Sequence, residues 1–318
     1  MQRREFLKKS GRAVALAAVT GGVGFLFHNR ATSRYLNTLE KSASFEVAAD
    51  KALPKVAMAR FEDPLAALNS ALEAVGGISR FIDSGDRVTI KPNIGWDRTA
   101  EQAANTNPLL VAEMVRLCLD AGAKEVIVSD ISCNDPRRCF LRSGILEAAE
   151  KAGAKVLLPD DADFVEIDLS GEMLHTWPVL KHFVDTNKLI NMPIVKHHSL
   201  SLCTIGMKNL YGILGGRRHQ LHQRIDQSIV DLTRFSKPTL TVVDATRVLI
   251  QSGPQGGSLD DVERHDSVIC ATDPVAADAR GAEFLGLIPE RVGHIALAEK
   301  SGLGKLDYKA LGYKEIIG

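Results

Sequence analysis

The sequence predicts an α/β protein with a mainly parallel sheet and helices on both faces, in a single compact domain behind an N-terminal signal. Three observations carry this expectation. After residue 50, short runs rich in Val, Ile and Leu alternate with helical patterns. Four helix starts share one device: Asp63-Pro64, Asn107-Pro108, Asp135-Pro136 and Asp273-Pro274. In each, a side-chain oxygen accepts an orphan amide, and proline fills the first turn, where its missing N–H costs nothing. Finally, Ala121-Gly122-Ala123 and Ala152-Gly153-Ala154 end two helices and lead straight into strands. Alternation with such tight joins implies βα units and a Rossmann-like layering.

The elements follow in order. Strands are expected at Lys55–Phe61, Asp86–Lys91, Glu125–Asp130, Lys155–Pro159, Asp163–Leu169, Leu189–Val195, Leu240–Asp244 and Ser267–Ala271. The run Leu189–Val195 is apolar almost throughout and belongs inside the sheet, although Pro193 removes a ladder donor. Helical spacing covers Pro64–Val75, Pro108–Ala121, Arg142–Ala152, Ser228–Phe235, Pro274–Leu285 and Arg291–Lys300. No repeat or linker interrupts residues 51–318, which form the α/β domain.

Residues 1–50 are a signal or anchor with a spacer. Gln2-Arg3-Arg4-Glu5-Phe6-Leu7-Lys8 resembles the twin-arginine export motif, and the uncharged stretch Ala13 to Phe27 follows it. That stretch is only weakly apolar and shorter than the ~20 residues that comfortably span a bilayer. The twin-arginine translocase is thus an expected partner and the periplasm the expected location, with the membrane touched only through this segment, either cleaved or retained as an anchor. Lys+Arg and Asp+Glu both total 39. Six of the cations lie in residues 1–30 against one acid, leaving 33 basic and 38 acidic residues in the rest. Bulk charge therefore gives no support for nucleic-acid binding, and any cationic site in the body is local.

No P-loop, H-E-x-x-H helix or G-x-S-x-G elbow is present. Polar clusters at strand ends remain: Lys91-Pro92-Asn93, Asp130, Lys196-His197-His198, Asp244 and Asp273. In a parallel sheet these ends converge on one edge, where such folds bind ligands. Asp130 and Asp244 have a plainer reading as loop caps, and Asp273 as a helix cap. The richest segment, Asn191 to Gly212, is followed by Gly215-Gly216-Arg217-Arg218-His219 and His222. Lys196, Lys208, Arg217 and Arg218 put four fixed cations in a short span, which suits an anionic ligand. A solvated basic face is the plain alternative.

Of the five cysteines, Cys118 and Cys270 fall in apolar patterns, while Cys133 and Cys139 flank a short loop and are expected to form a local disulfide. No C-x-x-C is present, which leaves only an unusual iron–sulfur arrangement of Cys133, Cys139 and Cys203.

Across roughly residues 55–290 the chain resembles the domain-of-unknown-function 362 family. Lys91-Pro92-Asn93 matches its Lys-Pro-Asn element, and Thr106-Asn107-Pro108 its Thr-His-Pro helix start, with Asn107 in place of His. In Pro193–Gly212, the residues Lys196, His198, Thr204, Lys208, Asn209 and Gly212 fall on signature positions. Arg218 and His222, Asp244, Gly253-Pro254, Gly256-Gly257, and Asp273 to Asp278 resemble later elements. Some relatives add a ferredoxin-like cluster domain; this chain has none, and the family name assigns no reaction.

The expected function is an exported protein that binds an anionic small molecule or cofactor in a cationic cleft, as an enzyme assisted by a metal or redox cofactor. His198, His222, Lys208 and Asp244 are its catalytic candidates. Lys91, Asn93, Lys196, Thr204, Asn209, Arg218, Gly253 and Gly256 are its ligand-binding candidates. Asp130, His198, His222 and Asp244 are its metal candidates. Non-catalytic cofactor delivery and an accessory role in an exported redox complex are the alternatives.

Overall fold

The computed structural model describes residues 43–318. Gln2 to Lys8, read as resembling the twin-arginine motif, and the stretch Ala13 to Phe27 lie outside the described residues. Among the described residues, no helix is long and apolar enough to cross a membrane.

The main sheet runs β14 (Lys314–Ile317), β2 (Val56–Arg60), β13 (Val262–Ala271), β12 (Leu240–Leu249), β8 (Lys188–Met192), β3 (Arg87–Pro92), β4 (Glu125–Val128) and β5 (Lys155–Val156). All adjacent pairs are parallel except β13, which runs antiparallel to both β2 and β12. Two further strands, β9 (Ile194–His198) and the short β10 (Leu202–Thr204), pair antiparallel, and β9 continues parallel to β12. The mainly parallel sheet read from the sequence is therefore present.

Alternate residues of β2, β8, β12 and β13 feed two cores. Leu189, Val243, Ile269 and Ala271 pack in one core with α5 (Gly206–Asn209), α6 (Ile225–Phe235), α7 (Pro274–Glu283) and α8 (Gly293–Lys300). Ile190, Val242, Val268 and Cys270 pack in the other with α1 (Pro64–Ala74), α2 (Pro108–Asp120) and α4 (Ile145–Lys151). Burying both faces explains why the strands read as continuous apolar runs. All four Asp/Asn-Pro starts cap as expected: Asp63, Asn107, Asp135 and Asp273 accept from the amides of Leu65, Leu109, Arg138 and Ala276.

Several expectations need correction. The run Leu189–Val195 is two strands, broken where Pro193 cannot donate to the ladder. The helix expected over Arg142–Ala152 is instead α3 (Pro136–Arg142) followed by α4, separated by Gly144 at φ +76°. The strand at Asp163–Leu169 lies outside the main sheet. It is β6 (Phe164–Asp168), paired only with β7 (Thr176–Leu180) in an antiparallel hairpin. The expected Cys133–Cys139 disulfide is absent: all five cysteines are free. Cys139 is buried inside α3, whereas Cys133 is exposed on the loop before it.

Candidate functional site

At the carboxyl edge of the sheet lies a cleft of about 460 Å³. It gathers Lys91 from β3 and Asn93 directly after it, Asp130 after β4, Lys196 and His198 from β9, Thr204 from β10, and Lys208 and Asn209 from α5. Arg218, His219 and His222 come from the 3₁₀ turn Arg218–His222. Of the thirteen candidates named from the sequence, ten line this cleft; Asp244, Gly253 and Gly256 do not.

The floor is an ion pair. Lys91 Nζ donates to Asp130 Oδ1 at 2.7 Å, to the Pro92 carbonyl at 2.9 Å and to Asn209 Oδ1 at 3.2 Å. Burial lowers the Lys91 pKa, and the Asp130 charge opposes that shift. Asp130 also accepts from the Ile94 and Ile131 amides. Oδ1 thus accepts two hydrogen bonds and Oδ2 one. A chain of amides orients the next residues. Asn209 Nδ2 donates to Asn191 Oδ1 at 2.8 Å, and Asn93 Nδ2 donates to Asn209 Oδ1 at 2.9 Å. Asn93 Oδ1 in turn accepts from Lys196 Nζ at 2.9 Å. Asn93 and Asn209 are thus braces for the lysines, with their own groups already engaged.

Lys196 donates twice, to Asn93 and to the Ala104 carbonyl at 2.6 Å. Lys208 Nζ makes no hydrogen bond and sits 3.7 Å from the centroid of the Tyr211 ring. Both lysines are buried, and burial pushes each down to about 7. Arg218 is held by the carbonyls of Ile131 and Ser132. None of Lys196, Lys208 and Arg218 has a carboxylate partner among the described residues. Thr204 stands directly across the β9–β10 ladder from Lys196, and its side chain is also unpartnered.

The two histidines differ in tautomer. His198 Nδ1 accepts the amides of Leu200 and Ser201 at 3.1 and 3.3 Å. Its hydrogen therefore sits on Nε2, and the ring has no lone pair free for a proton or a metal. Burial, reinforced by Lys208 and Lys196, pushes it down to about 3. His198 is a neutral donor, which corrects its expected roles as acid/base and metal ligand. His222 is the reverse. A carbonyl can only accept, so the 3.3 Å contact with the His219 oxygen places the hydrogen on Nδ1 and leaves the Nε2 lone pair open. The His222 ring lies 6.3 Å from His198, nearly parallel, and 6.0 Å from Tyr211, edge to face. Burial and then Lys208 lower its pKa.

Other expected residues lie elsewhere. Asp244 is buried beside the start of α2, where its carboxylate accepts from the Asn107 amide and from the Thr246 amide and hydroxyl. Gly253 packs where a Cβ would come within 2.0 Å of the His197 carbonyl oxygen. The Gly256 carbonyl accepts from Arg98. That loop reaches the cleft only through Pro254. Among the described residues, no three His, Cys, Asp or Glu side chains are grouped to hold a metal ion. The donor sets expected for a metal or an iron–sulfur cluster are therefore not assembled there.

Three contributors were not among the catalytic or ligand-binding candidates. Tyr211 supplies the ring under Lys208, and Cys133 lines the mouth. Asp278 anchors α5 from α7, accepting from the Gly206 amide at 2.7 Å and the Met207 amide at 3.2 Å. The family-like Asp-Pro-Val-Ala-x-Asp string pointed to Asp278 without giving its role.

A family model described as "Domain of unknown function (DUF362)" matches residues 88–283. A thylakoid-associated protein of Synechocystis sp. is 25% identical over 254 residues, which are 75% of this chain and 75% of that protein. The lactate racemase apoprotein from Thermoanaerobacterium thermosaccharolyticum superimposes with a TM-score of 0.46 at 12% identity. That match covers 76% of this chain and 59% of the other, a likeness that carries no argument about function. The matched span holds every charged residue of the cleft described above, and on it the chain belongs to the domain-of-unknown-function family DUF362.

Proposed function

We propose that this cleft binds a small anionic molecule, a carboxylate or a phosphate, and acts on it as an enzyme. One observation carries the reading. Lys196, Lys208 and Arg218 face a cleft whose single carboxylate, Asp130, is already paired with Lys91. Cations gathered in a cleft without a counter-charge are costly, and a bound anion supplies the missing charge. Lys196, Lys208, Arg218 and the Nε2–H of His198 hold the anion, with the Thr204 hydroxyl beside them. His222 Nε2 is the proton acceptor and donor.

Thermal melts with inorganic phosphate and with oxalate test this. Millimolar anion is expected to raise the melting temperature of the wild type and to leave a Lys196→Met/Arg218→Met variant unmoved. No rise with either anion, or an equal rise in the variant, overturns the reading.

We further propose export through the twin-arginine translocase to the periplasm. The support is Arg3-Arg4 and the uncharged stretch after it. A relative described as thylakoid-associated fits a location tied to a membrane system. Replacing Arg3 and Arg4 together by Lys is expected to retain the protein in the cytoplasm. Undiminished periplasmic protein in fractionated cells would refute the assignment.

A further inference from the structure

We propose that Lys208 is an imine-forming amine, and that the anion taken by the cleft also carries a ketone or aldehyde next to its charge, as a 2-oxo carboxylate does. This rests on the anion-binding reading and adds the substrate class.

The three cleft lysines are not equivalent. Lys91 has three acceptors, one of them a carboxylate, and is held as an ammonium. Lys196 gives two hydrogens to fixed oxygens of Asn93 and Ala104, and so is held as an anchor. Lys208 has no acceptor at all; its Nζ lies over the face of Tyr211, inside a wall shared with His222. Nothing there holds its ammonium except the ring. Like charges on Lys196, Arg218 and Lys91 also disfavour protonation, after burial itself. A lysine desolvated beside other cations keeps a usable lone pair near neutral pH, which is what carbonyl addition needs.

The surroundings suit the step. With the carboxylate held by Lys196 and Arg218, the adjoining carbonyl oxygen can accept from His198 Nε2–H or the Thr204 hydroxyl. The Nζ lone pair attacks the carbonyl carbon, a C–N bond forms, and the carbonyl π pair moves to oxygen. His222 Nε2 carries the two amine hydrogens to the oxygen in turn: the first gives the carbinolamine hydroxyl, and the second lets that hydroxyl leave as water while the nitrogen lone pair forms the C=N bond. Amine plus carbonyl gives imine plus water, and no oxidant or reductant is consumed. The neighbouring cations favour the carboxylate of the adduct, so binding and condensation support each other.

The test is reductive trapping. Purified protein is incubated near pH 7 with pyruvate and cyanoborohydride, then read by intact mass and peptide mapping. The expected result is one reduced pyruvate per chain, on Lys208, suppressed by excess oxalate. Lys208→Arg has no amine able to condense with a carbonyl, so it is expected to lose the adduct. If pyruvate raises the melting temperature but no adduct forms on Lys208, the imine is refuted while anion binding stands. If neither occurs, both fail. An adduct spread over surface lysines and untouched by oxalate also refutes the proposal, and that comparison needs only the wild type should Lys208→Arg not fold.

Discussion

Gly212 is bare because its neighbours leave no room. A Cβ there would lie 1.7 Å from Asp130 Oδ1 and 2.7 Å from Lys91 Nζ. The floor of the cleft is thus a buried ion pair capped by backbone. Gly212→Ala is expected to destabilise the protein by roughly 2–5 kcal/mol, because it must separate a buried pair or displace the turn above it. Urea denaturation measures this, and a change within experimental error would mean that the turn yields freely. Much of the site was legible at this scale. Lys91 and Lys196 stand in polar strings directly after apolar runs, where a parallel sheet places its ligands, and Lys208 lies in the polar-rich segment Asn191 to Gly212. Their division of labour was not. Lys91 takes its counter-ion from a residue 39 positions away, a choice made by strand neighbours. The His198 tautomer depends on two amides of the next turn, which no residue type encodes.

Among the elements, α5 is the most dependent on others. Four residues cannot sustain a helix alone, and Gly206–Asn209 is held by Asp278 at its start and by Asn191, which donates to the Gly206 carbonyl. The Asp278 carboxyl is fully buried, and burial pushes it up to about 7. Asp278→Ala would orphan two amides and is expected to cost roughly 2–4 kcal/mol, with the anion-induced rise in melting temperature falling too. Asp278→Asn keeps an accepting oxygen and is expected to lose less. Equal stability of the alanine variant and the wild type in urea would show that α5 needs no anchor. Sequence reading placed most elements because apolar runs and Asp/Asn-Pro caps are local signals. It gave no direction to Ser267–Ala271, whose antiparallel course is set by the long hairpin between β12 and β13. It also placed Asp244 in the cleft from its strand-end position. The strand continues to Leu249, which leaves Asp244 within the ladder.

For the whole molecule, the cationic cleft ties stability to pH. The folded protein holds Lys196 and Lys208 at about 7, whereas an unfolded lysine titrates near 10.4. Between those values the unfolded chain binds more protons, so these residues favour folding more as pH rises through that window. Below about 7 both states are protonated, and the cost of burying two ammonium groups is fully present. Lys208→Met is therefore expected to be more stable than wild type by roughly 1–4 kcal/mol at pH 6, with the gap narrowing by pH 9. Phosphate is expected to stabilise the wild type more at pH 6 than at pH 9. Melting curves across that range decide it; a gap independent of pH would place the charge cost elsewhere.

The hairpin of β6 and β7 has a use beyond support. Trp177 donates its indole N–H to the Gly215 carbonyl at 2.9 Å, clasping the segment that leads to Arg218 and His222. Trp96 lines the cleft itself, and these are the chain's two tryptophans. One indole thus borders the cleft and the other is fixed to the strip of chain that leads to Arg218 and His222. Tryptophan emission therefore comes wholly from the neighbourhood of the cleft. It gives a label-free optical signal of occupancy, and replacing Trp177 by Phe leaves a single reporter at the cleft wall.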